Sequence, residues 1–93
     1  MESPVAATLH VSLQTAHVYR VLYTVNDARG GAATPYSMHG QETLRAFLTH
    51  CAIAPDTIDV IITRVESGMS YVLDLGALDK DKVARLLRRY AGS

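Results

Sequence analysis

Two stripes of apolar residues between Gln41 and Gly68 constrain this chain more than any other feature. Leu44, Phe47, Leu48 and Cys51 recur at i, i+3, i+4 and i+7, the spacing that lines one face of a 3.6-residue helix. Ile58, Ile61, Ile62 and Val65 repeat it. Between them stands Ala54-Pro55-Asp56, where proline disfavours the α conformation in the residue before it, so one helix is expected to end and another to begin. The pattern predicts Asp56 as the cap of the second helix, with Asp59 as a short-armed capping-box partner and Gly68 as the stop. A strand is the competing reading of Thr57 to Glu66, because Ile, Val and Thr favour pleated surfaces. Strict alternation fails at Val60-Ile61-Ile62, whereas the helical stripe misplaces Val60 alone, so the helix is expected.

The flanks carry a different period. Leu9, Val11 and Leu13 alternate with Thr8, His10 and Ser12 between Ala7 and Gln14, and Tyr19, Val21, Tyr23 and Val25 alternate with Arg20, Leu22 and Thr24. A short Thr15-Ala16-His17 link makes these two strands a hairpin. Asn26 to Gly31 has the composition of a turn, and Ala33 to Met38 reads as a third, shorter strand that Pro35 confines to a sheet edge. Met69, Tyr71, Leu73 and Leu75 alternate with Ser70, Val72 and Asp74 as one more strand, ending at Gly76. Asp79 is then expected to cap a helix with Val83, Leu86, Leu87 and Tyr90 on its third apolar stripe. Amphipathic helices need something to cover, and an antiparallel sheet with one apolar face supplies it. The expected fold class is α+β, with three to four antiparallel strands covered by amphipathic helices, in the order β-β-β-α-α-β-α, as one domain over residues 1 to 93.

With 93 residues, 48% of them hydrophobic, the chain can bury a core without metal or disulfide staples. A lone cysteine forms no internal disulfide, which suits the reducing cytoplasm. No window approaches the ~20 apolar residues of a membrane span and no leader-like segment is evident, so neither membrane nor export is expected. The formal net charge of zero is unevenly spread. Residues 1 to 79 hold four arginines against eight acids, hence −4, and the last fourteen hold Lys80, Lys82, Arg85, Arg88 and Arg89 against Asp81, hence +4.

Catalytic and cofactor chemistry leave no local signature. His10, His17, His39, His50 and Cys51 show no pairwise spacing that brings two metal ligands together from one element, and His50 and Cys51 point apart on a helix. Cys51 lies on the apolar stripe, where a thiol packs as a small hydrophobe with a raised pKa. There is no G-x-S-x-G elbow. Asp56, Asp59, Asp79 and Asp81 are explained by helix N-termini, and Asp74 by the wet side of a strand. Gly30-Gly31 reads as a turn rather than a phosphate cradle, since no helix follows directly.

The remaining candidates are surfaces. Lys82, Arg85 and Arg89, with Arg88 beside them, lie opposite Val83 and Leu87 on the terminal helix, a face able to meet phosphates or an acidic protein. The plain alternative is a solvated face whose arginines complement the helix dipole, with Asp81 and Arg85 as an i, i+4 pair. Tyr19, Tyr23 and Tyr36, with Tyr71, are candidates for a contact surface or for sheet packing. No cofactor is expected. The leading expectation is a small non-enzymatic protein-binding module, as inhibitor, adaptor or self-associating regulatory subunit, joined through its proline-containing edge or its tyrosine face. The alternative is a nucleic-acid-binding regulator using the basic helix. A third class is an enzyme assembled across an oligomer interface from converging histidines.

Overall fold

The structure, a computed structural model, describes residues 6–27, 30–75 and 80–91. Three strands open the chain as a meander, β1 (Ala6–Thr15), β2 (Val18–Asp27) and β3 (Gly30–His39). Two helices follow, α1 (Gln41–His50) and α2 (Pro55–Glu66), then β4 (Tyr71–Asp74) and α3 (Lys80–Tyr90). The sheet is antiparallel in the order β3-β2-β1-β4. This is the α+β architecture that the alternating periods imply, and Thr57 to Glu66 is helical.

Several boundaries differ from expectation. The hairpin between β2 and β3 is tighter than a turn over Asn26 to Gly31, because the ladder continues to the pair Asp27 and Gly30. Ladder hydrogen bonds there override the low strand preference of Asn, Asp and Gly. Between β1 and β2 the turn is Ala16-His17, with His17 at φ 65°, and the register shifts between Leu13 and Thr15.

Asp56 is not the cap of α2. Ala54 occupies that position with an extended backbone and Pro55 is the first helical residue. Proline suits it because its φ is preset and its missing N–H would have had no helical acceptor. Asp56 then lies in the first turn, where the positive end of the dipole favours a carboxylate. The expected ends at Gly76 and Asp79 lie outside the described residues.

Gly68 does end α2. Its φ is 93°, its N–H bonds to the Val65 carbonyl and that of Met69 to the Arg64 carbonyl, a Schellman closure. α1 closes the same way through Ala52 (φ 63°), with Ala52 N–H bonded to the Thr49 carbonyl and Ile53 N–H to that of Leu48.

All three helices lie on one side of the sheet. β1 sends Ala7, Leu9 and Val11 to that side, β2 sends Tyr19, Val21 and Tyr23, and β3 sends Met38, and all are buried. They meet Leu44, Phe47 and Leu48 of α1, Ile58, Ile61, Ile62 and Val65 of α2, and Val83 and Leu87 of α3 in one core. α2 covers β1 and β4, while α1 covers β2 and β3 and packs between α2 and α3. Arg45 of α1 donates to Asp59 of α2 at 2.9 Å across the outer helical surface. Among the described residues, no helix is long and apolar enough to cross a membrane.

Candidate protein-binding surfaces

α3 is seated by Val83 and Leu87, with Leu86 and Tyr90 partly buried beside them. The Tyr90 ring meets Phe47 edge-on at 6.4 Å and stacks on His50 at 5.7 Å between centroids, which fixes the end of α3 over the end of α1. The opposite side of α3 presents Lys82, Arg85, Arg88 and Arg89, all exposed. The Arg89 guanidinium stands 5.8 Å from the Tyr90 ring centre, a cation–π contact that limits where its charge can wander. Four cations thus follow one helix about 16 Å long.

The tyrosines do not join them. Tyr19 and Tyr23 lie beneath the helices, fully buried and 7% exposed respectively, so they belong to the core rather than to an accessible face. The covering helices decide this, because alternation marks a shared face without saying whether water reaches it. Tyr36 is partly buried on β3, on the same side. Tyr19 donates its hydroxyl to the Glu66 carboxylate at the end of α2, and burial followed by that carboxylate raises its pKa. Burial likewise raises that of Tyr23, whose hydroxyl has no hydrogen-bond partner among the described residues.

Cys51 is buried at the end of α1. Burial pushes its thiol up to about 11, against a smaller opposing pull from the Lys82 charge, so it remains protonated and unreactive at neutral pH. His50 beside it is exposed. His17 and His39 line, with Glu42 and Glu66, an open cleft of about 570 Å³ at the start of α1. Among the described residues, no three His, Cys, Asp or Glu side chains are arranged to hold a metal ion.

A further surface escaped the sequence reading. Among the described residues, the large apolar side chains most exposed to water are Val72 (64%), Met69 (58%) and Val60 (44%). Val72 is on β4, Met69 immediately precedes it, and Val60 is on α2, which packs above β4. The signal was the single valine among polar residues on the wet register of β4, between Ser70 and Asp74.

No protein-family model matches the chain, and no curated protein or solved structure matches it either.

Proposed function

We propose that this chain is a non-enzymatic protein-binding module that docks an acidic surface of another protein against the outer side of α3, as an inhibitor, adaptor or regulatory subunit would. The observation that supports this reading is the segregation of charge: Lys82, Arg85, Arg88 and Arg89 are exposed together, while residues 1 to 79 carry a net −4. Opposed potentials of that kind speed encounter and fix orientation.

A protein suits this surface better than a nucleic acid. One helix with four cations neutralises few phosphates, and the acidic remainder of the molecule repels the flanking backbone. The uncovered side of the sheet, where single-stranded nucleic acid would stack, presents Thr8, His10, Ser12, Arg20, Leu22 and Thr24, with no Phe, Tyr or Trp among its described residues.

Affinity capture from the source lysate, with and without nuclease, tests the proposal using the wild-type chain and the Arg85→Glu/Arg88→Glu variant. A protein retained at near-equal stoichiometry after nuclease by the wild type, and lost by a variant with an unchanged circular dichroism spectrum, is the expected result. Recovery of nucleic acid whose digestion releases everything else would assign the helix to phosphate binding instead.

A further inference from the structure

The two edges of the sheet are not alike. β3 is ten residues long with Pro35 near its middle, and proline contributes no N–H to an added strand. β4 is the opposite edge, with no strand on its outer side among the described residues, and it contains neither proline nor lysine. Two of the most exposed large apolar residues among the described residues belong to this edge: Met69 just before its start, and Val72 on the face away from the helices. On the helix side the Arg64 guanidinium lies 5.7 Å from the Tyr71 ring centre, joining α2 to β4 as one continuous flank.

We propose that β4 is a self-association edge, where a second copy of this chain pairs its own β4 antiparallel across a two-fold axis perpendicular to the sheet, giving one eight-stranded sheet with all helices on the same side. The occupant follows from the self-complementarity of the segment from Met69 to Leu75. Opposed residues must face the same side of a continuous sheet, so the register moves in steps that keep this parity. With Val72 on the axis, it meets Val72 of the second copy, Tyr71 meets Leu73, Met69 meets Leu75, and Asp74 meets Ser70. Every apolar residue then opposes an apolar one, and the sole charge opposes a hydroxyl.

Neighbouring registers lack that property. Leu73 on the axis sets Val72 against Asp74, and Tyr71 on the axis sets Val72 against Ser70. The arrangement is isologous and closes at two copies. Four-residue strands make a small interface, to which Met69 and the Arg64 stem over Tyr71 add apolar area. α3 lies beyond α1 from this edge, so the proposal stands apart from the reading of the basic helix and would present two such helices to one partner.

Sedimentation equilibrium of the full chain at concentrations up to about 100 µM is the test. The wild type is expected at twice the monomer mass. Val72→Lys and Val72→Asp, at a site that is 64% exposed and tolerant in the fold, should each sediment as monomers because like charges meet on the axis. An equimolar mixture of the two should recover the dimer mass, and Ser37→Lys on the β3 edge should remain dimeric. A monomeric wild type overturns the proposal, as does a dimer unaffected by either charge at Val72. Failure of the mixture to re-form the dimer overturns the register.

Discussion

The two faces of the sheet are built from the same strands and meet different solvents. Leu9 and Leu22 lie on adjacent strands, yet Leu9 is fully buried under the helices while Leu22 is partly exposed on the other side, in the row of His10 and Val72. One face is closed by three amphipathic stripes and the other is left to water, as antiparallel sheets allow. Residues of identical chemistry therefore differ in what they contribute, and stability should be concentrated on one side.

Deleting the same atoms from each face is the sharpest way to break that contrast. Leu9→Ala should cost about 2 to 5 kcal/mol in urea unfolding, combining lost transfer energy with a cavity the packed helices cannot close. Leu22→Ala should cost about 1 kcal/mol or less, because its side chain already meets water. Equal losses would mean that the open face is covered in solution.

The covered face should also fail first in alkali. The Cys51 thiol titrates near 9 when unfolded and at about 11 when buried. A raised folded pKa contributes stability that is complete below pH 9 and lost as pH climbs to 11, here about 2 to 3 kcal/mol at ~1.4 kcal/mol per pKa unit. Tyr19 and Tyr23, raised from an ordinary value of 10, add to the loss above pH 10, so the interval from 9 to 10 isolates the thiol. Cys51→Ala should flatten the stability profile there whatever it costs at neutral pH.

The tyrosines divide the covered face more finely. Tyr19→Phe removes a hydroxyl that bonds a carboxylate and should cost about 1.5 kcal/mol or somewhat more. Tyr23→Phe removes a buried hydroxyl without a partner among the described residues and should be neutral or slightly stabilising. Thermal denaturation of both variants checks the difference, and a costly Tyr23→Phe would show that this hydroxyl is satisfied in solution by a bound water.

Periodicity made the elements legible. The stripes from Leu44 to Cys51 and from Ile58 to Val65 became helices because a 3.6-residue repeat of apolar residues has no comparable alternative use. The alternations became strands. What periodicity lacks is neighbour identity: nothing in the chain order says that β4 lies beside β1, which is what makes β4 an edge. Of the two readings open to Tyr19 and Tyr23, sheet packing under the helices holds and an accessible contact surface does not. Asp56 misled for a local reason, since Asp is a favoured cap but Pro55 ahead of it is a still better first residue.

The smallest effect concerns the helices that roof the closed face. α1 and α2 end in the same hydrogen-bond pattern, one turning left-handed at Ala52 and the other at Gly68. An L-residue bears about 1 kcal/mol of steric cost in that conformation, which glycine escapes. A Cβ added at Gly68 would meet nothing within 4 Å, and Ala52 is exposed, so neither exchange involves packing. Ala52→Gly should therefore stabilise by about 0.5 to 1 kcal/mol even though glycine loosens the unfolded chain, because relief of the left-handed strain exceeds that entropy. Gly68→Ala should destabilise by about 1 kcal/mol for the converse reason. Urea midpoints moving in opposite directions for two chemically opposite changes at equivalent turns would assign the difference to backbone conformation. Midpoints moving the same way would show that one of the two turns is not left-handed in solution.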